Sequence, residues 1–341
     1  MKASTSKAKS TLALWPLAIA LLVLIVASFA TGQFRVTLQQ LVNLLFSKLF
    51  GIGQGAPPLI EMVVLQVRLP RVLGAVFVGA ALAAAGAAYQ AMFRNPLVSP
   101  DILGVSSGAG LGAALGIFLS LPVLGIQALA FAFGLATVLL VYLIAAAVRG
   151  NDPVLALVLS GVVVGMLAGA AISLLKIMTD PYDQLPAMTF WLMGSLALLS
   201  PEDIKAALLA MLIGIAPLYV LRWRMNLMSL DDEEGQALGV DTTKLRMIFV
   251  AAATLMTSAV VSISGIIGWV GLIIPHIARM LVGPNFNRLL PASMLLGGTY
   301  LLLIDNLARS VTSIELPLSI LTALLGAPFF LWLLISGRRL W

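Results

Sequence analysis

VLGIQALAFAFGLATVLLVYLIAAAV, residues Val123–Val148, runs on without a single charged side chain. Crossing the ~30 Å hydrocarbon core of a bilayer takes about 20 predominantly apolar residues in a helix, so this run is long enough to span one. Working outward, the same reading applies to Leu12–Ala30, Val72–Phe93, Ile102–Leu121, Val154–Leu175, Ile204–Leu221, Met247–Ile263, Leu289–Leu303 and Leu316–Ile335, with a shorter run at Gly271–Val282. None alternates apolar and polar residues with the period of two that a membrane β-barrel requires. The chain is 61% hydrophobic and 10% charged. The expected fold is an all-α polytopic membrane protein of about ten transmembrane helices, with residues 1–341 forming one transmembrane domain.

The longest hydrophilic stretch is RWRMNLMSLDDEEGQALGVDTTKLR, residues 222–246. It holds four basic and five acidic residues and no glycine-rich phosphate loop. In an otherwise lipid-seeking chain it reads as a handle for another protein. The basic run before Leu12 superficially suits a signal peptide, but the apolar run is longer than the ~7–15 residues of such a segment. We read it as a first span with its basic flank inside. Threading ten spans from there places 13 of the 20 Lys and Arg residues on the cytoplasmic side, in line with the positive-inside rule. That bias accounts for the net charge of +6 without nucleic acid. Both termini and the 222–246 handle then face the cytoplasm.

Gly104, Gly108, Gly112 and Gly116 recur every fourth residue, and Gly161, Gly165 and Gly169 repeat the pattern. Such stripes let helix backbones approach closely in lipid. Asp152-Pro153 and Ser200-Pro201-Glu202-Asp203 read as helix starts. Leu185–Leu199 is apolar but too short to cross, so it reads as re-entrant or interfacial.

Buried charges mark ion pathways in carriers, and here Asp305, Glu315 and Lys176 all fall near span ends. The chain has one histidine, His276, and no cysteine, which argues against an intramembrane enzyme. No G-x-x-x-x-G-K-[ST] occurs, so an ATP-driven device would need a separate ATPase. A secondary carrier would need mid-membrane ion sites that the sequence does not supply.

Several segments then occur in register: Arg68-Leu-Pro-Arg71, Gln90–Pro100 (QAMFRNPLVSP), Leu103–Ala109 (LGVSSGA), Trp191–Leu196 (WLMGSL), Leu238-Gly239, Gly268–Arg279 (GWVGLIIPHIAR), Asp305–Arg309 (DNLAR), Glu315-Leu-Pro317 and Gly326–Phe330 (GAPFF). Together they resemble the permease family of bacterial ABC importers for haem, iron–siderophores and vitamin B12, from Gly32 onward.

The resemblance implies a homodimer of ten-helix permeases with inverted halves in the inner membrane. Two cytoplasmic ATPase subunits would bind ATP and Mg, and a periplasmic binding protein would deliver substrate. This chain itself would bind no cofactor. By resemblance, Asn226–Asp241 would form the coupling helices, with Leu227, Leu230, Ala237, Leu238 and Val240 as the apolar ridge. Asp231 to Glu234 would be its charged flank, and Gly239 a left-handed helix end. Arg68, Arg71 and Arg309 would meet glutamates of the binding protein, although Arg309 can also pair with Asp305. Asn151 and Asp152 are the candidates for a cytoplasmic gate. His276 is expected to be a packed or gate-adjacent residue, and Met92, Met166, Met178, Met188 and Met193 suit either soft contacts or adaptable core. Haem is the favoured cargo, ahead of siderophore and then cobalamin.

Overall fold

The computed structural model describes residues 14–335, apart from 33, 35, 52–56, 149–152, 230–234, 236–238 and 313. Among the described residues, six helices are long and apolar enough to cross a membrane. They are α3 (Pro58–Met92), α5 (Val123–Ala147), α6 (Pro153–Met178), α8 (Pro201–Val220), α9 (Thr242–Ser264) and α11 (Phe286–Ala308). Four shorter apolar helices complete the set of ten runs: α1 (Leu14–Ala30), α4 (Val105–Phe118), α10 (Val270–Val282) and α12 (Leu318–Ile335). Among the described residues there is no strand. The all-α polytopic reading holds.

Three departures from the hydropathy runs have local causes. The run at Ile102–Leu121 is broken: Pro100–Leu103 forms a 3-10 turn, and α4 starts only at Val105. Gly104 between them sits at φ +76°, a left-handed conformation that glycine alone adopts without a Cβ penalty. The second span is longer than the apolar run, because a six-residue π segment, Val63–Arg68, continues it back to Pro58. Its 35 residues make a rod of roughly 50 Å. Between α1 and α3 lies α2 (Leu38–Phe50), which no apolar run marks.

Helix α3 is the centre of the bundle. Of its most apolar window 83% is buried, against 28% for α5, α6 and α8. Alanines from Ala83 to Ala88 lie without exposure around Gly86, so neighbours reach the α3 backbone itself. A Cβ on Gly79 would sit 2.2 Å from the Gly297 carbonyl oxygen, and one on Gly297 would sit 2.3 Å from that of Gly79. Thus α3 and α11 touch backbone to backbone, as small residues allow where lipid offers no hydrophobic drive. The Gly108 and Gly112 stripe does the same for α4 against the Phe133 and Leu129 carbonyls of α5.

In each half the bundle carries one short helix preceded by a break. Gly104 precedes α4, and Trp269, at φ +71°, precedes α10. Helix α7 (Gln184–Leu192) is the short segment foreseen between the fifth and sixth spans.

Candidate functional site

The three arginines singled out in the sequence come together at one end of the bundle, and all are buried. Arg68, Arg71 and Arg309 are 4%, 9% and 9% exposed, around a fully buried Asp305. Arg71 Nε lies 2.8 and 3.1 Å from the two Asp305 carboxylate oxygens, and its Nη2 lies 2.7 Å from Oδ1. The same guanidinium also donates to Glu315. Arg309 Nε is 3.5 Å from Asp305 Oδ2. A guanidinium presents five donors in a fixed fork, and others of these go to the C-terminal end of α1 and the residues just after it. Arg309 donates to the carbonyls of Ser28 (2.8 Å) and Thr31 (2.9 Å), and Arg68 to those of Phe29 and Phe34.

Helix ends leave carbonyls without intrahelical partners, and cations there complement the helix dipole. The cluster therefore caps α1 and welds it to α3 and α11. Asn306 completes it, donating to Ser28 Oγ at 2.6 Å and accepting from Arg309. Three guanidinium groups face two carboxylates, so the cluster keeps an excess positive charge.

At the opposite ends of these helices the handle begins. Arg222–Met225 and Asn226–Ser229 form short helical turns after α8. The Asn226 side chain accepts from the Phe286 backbone N–H at 2.8 Å, next to the start of α11. Arg94, just past the end of α3, donates from Nε to the Met228 carbonyl at 3.0 Å. The handle is therefore tied directly to α3 and α11. Further along, Gly239 lies at φ +77° and Val240 N–H bonds the Gly235 carbonyl at 3.1 Å. Asp241 then caps α9, its carboxylate accepting from Lys244 N–H at 3.0 Å.

The profile of the FecCD transport family matches residues 20–336. The chain belongs to the FecCD transport family. The molybdate import system permease protein MolB of Haemophilus influenzae is 42% identical over 326 residues, covering 96% of each chain. The cobalamin import system permease protein BtuC of Halobacterium salinarum is 44% identical over 281 residues, 82% of this chain and 75% of that one. A solved structure described as an inward-facing conformation of a putative metal-chelate type ABC transporter superposes with a TM-score of 0.85 at 40% identity. It covers 95% of this chain and 98% of its own. This is a FecCD permease by sequence and by fold.

Within this FecCD permease, the remaining candidates fall in separate places. Asn226 and Leu227 are half-buried at the root of the handle, and Gly239 is exposed near its far end. Leu230, Asp231, Glu234, Ala237 and Leu238 lie outside the described residues, as do the gate candidates Asn151 and Asp152. His276 is buried and shares a small cavity with Pro96, Leu97, Phe329 and Phe330. Gln90, from the same motif set, donates to the Leu272 carbonyl at 2.9 Å and accepts from Arg279 at 3.4 Å, stitching α3 to α10. Of the five methionines named as soft contacts, Met92 and Met188 are buried, and Met166 and Met178 are exposed. Among the described residues no three His, Asp or Glu side chains gather into a metal site.

Sequence reasoning missed Asn306 and Arg94. Both sit inside quoted motifs, but nothing in a linear sequence says that Asn306 faces Ser28 or that Arg94 reaches Met228.

Proposed function

We propose that this chain is the membrane permease of an ATP-driven importer that carries a metal chelate, with haem the first cargo to test. The observation that carries the reading is the double tether of the handle, Asn226 to Phe286 and Arg94 to Met228. A partner ATPase that moves the handle pulls on α3 and α11, the two helices fused through Gly79 and Gly297. The chain works with a cytoplasmic ATPase, a periplasmic binding protein and a second copy of itself in the inner membrane, with both termini inside. ATP and Mg belong to the ATPase.

The arginine cluster lies at the end away from the handle, where the binding protein would land. Its surplus positive charge favours acidic groups on that protein, setting approach rate and register more than affinity. Residues 149–153, with Asn151 and Asp152, are assigned to the cytoplasmic gate.

For the cargo, α6 exposes Leu155, Leu159, Val163, Met166 and Leu167. A pathway built on that face holds no charge and suits a flat apolar chelate. Molybdate is the second reading, favoured by the relative that matches over 96% of the chain. The experiment is uptake into proteoliposomes holding the permease, its ATPase and its binding protein, with haem, a ferric siderophore, cobalamin and molybdate as cargo. ATP-dependent uptake of haem supports the proposal. Uptake of molybdate alone replaces the cargo, and uptake without the ATPase overturns the importer reading.

A further inference from the structure

Helix α2 lies at the arginine-cluster end, between α1 and α3, and takes no part in the transport machinery described above. Thirteen residues are marginal for a helix in water, yet this one is closed at both ends. Thr37 and Gln40 form a reciprocal capping box, and Gly51, at φ +65°, ends it with an N–H bond to the Ser47 carbonyl. Lys48 pairs with Glu61 of α3.

Its surface divides into three sectors. Leu41 and Leu44 are buried against Phe29 of α1 and Ile60, Val64 and Leu65 of α3. Gln40, Asn43 and Ser47 form a polar side. Leu38, Val42, Leu45 and Phe46, at i, i+4, i+7 and i+8, form a second apolar stripe, between 41% and 60% exposed. A soluble surface helix hides one apolar stripe and leaves the rest polar. A second, uncovered stripe roughly opposite the polar side requires a second apolar medium.

The geometry points to the lipid interface as that medium: we propose that α2 lies in the membrane plane, with Leu38, Val42, Leu45 and Phe46 among the acyl chains. Phe29 and Ile60 fix its level at the end of α1, where the first span leaves the hydrocarbon. Beside those contacts, α1 exposes Val26 and α3 exposes Leu59 and Met62, so the stripe continues the apolar surface that the spans present to lipid. Helices of this kind sink about 5–10 Å into the boundary between headgroups and chains. A protein partner would need an apolar groove at this level, inside the headgroup layer, and would cut into that continuous surface.

The chain has no cysteine, so single-cysteine probes need no background removal. Val42→Cys, Phe46→Cys, Asn43→Cys and Leu44→Cys, each labelled with a nitroxide in phospholipid nanodiscs, report collisions with oxygen and with a water-soluble nickel chelate. Positions 42 and 46 are expected to be oxygen-rich and nickel-poor, with a collision ratio several-fold above that at position 43. Position 44 is expected to be low in both, as the buried reference. Nickel access at 42 and 46 would place the stripe in water and overturn the proposal. Low access to both reagents there would mean that a second copy or another protein covers it, which also overturns it. Val42 and Phe46 lie outside the buried cluster that holds α2, so neither substitution removes a core side chain.

Discussion

Arg71 and Asp305, 234 positions apart in the chain, form a two-oxygen ion pair at 2.8 and 3.1 Å beneath a surface that exposes neither side chain appreciably. Breaking a buried pair from one side leaves an uncompensated charge, at a cost of about 3–5 kcal/mol, whereas replacing both members with apolar residues is often neutral. Asp305→Leu alone is therefore expected to lower the melting temperature of the detergent-solubilised permease sharply. Arg71→Leu/Asp305→Leu should recover part of the loss, the remainder reflecting Glu315, which then lacks Arg71. A double variant no better than the single one would show that the pair is not the unit of stability.

Packing between α3 and α11 makes a sharper demand. Gly79→Ala and Gly297→Ala each push a methyl into a backbone carbonyl, and such overpacking costs typically about 1–3 kcal/mol. Gly169→Ala meets nothing within 4 Å and should be neutral. Thermal unfolding of the three variants side by side checks the contrast.

Ser200 caps α8 in a reciprocal box with Asp203: Asp203 N–H donates to Ser200 Oγ at 3.2 Å, and Ser200 N–H donates back at 2.9 Å. Ser200→Ala is expected to cost about 1 kcal/mol. Ser200→Asn should restore most of it, as read from the same melts.

If the handle drives transport through its tethers, Asn226→Ala removes one of them at a cost of roughly 0.5–1.5 kcal/mol. The expected result is a permease that assembles with its ATPase and hydrolyses ATP but imports less cargo per ATP. Unchanged coupling would separate the handle from transport.

At the start of α9, the N–H of Lys244 and its ammonium, 3.0 Å from Asp241 Oδ2, hold the Asp241 carboxyl below the usual carboxylate range. A lowered folded-state pKa gives stability that is present above the ordinary value of about 3.9 and is lost as pH falls through the folded one. The first turn of α9 should therefore be indifferent to pH near neutrality and should loosen only in acid. Amide exchange at Lys244 checks this, and Asp241→Ala should remove the acid dependence.

Much of this architecture was legible because lipid imposes few rules and the chain obeys them openly. Ten apolar runs became ten apolar helices, and the glycine stripe at 104, 108, 112 and 116 announced a close approach, which α5 fills. Ser200-Pro201 announced a capped start. The arginines were legible as charges near span ends, but not as buried ones. Sequence places Asp305 near Arg309 and far from Arg71, and only the fold brings Arg71 to it. Helix α2 escaped because its apolar residues serve two different media, so its hydropathy averages out.

Contact between Gly79 and Gly297 has one more consequence. Where two helices meet carbonyl to Cα, that crossing has no rotamer to switch and no layer to slide on. They form a chassis. Any change of shape that opens one side of the membrane and closes the other must then run along softer seams. The loosely packed α6 offers one: its Gly169 meets only open space and only 28% of its most apolar window is buried.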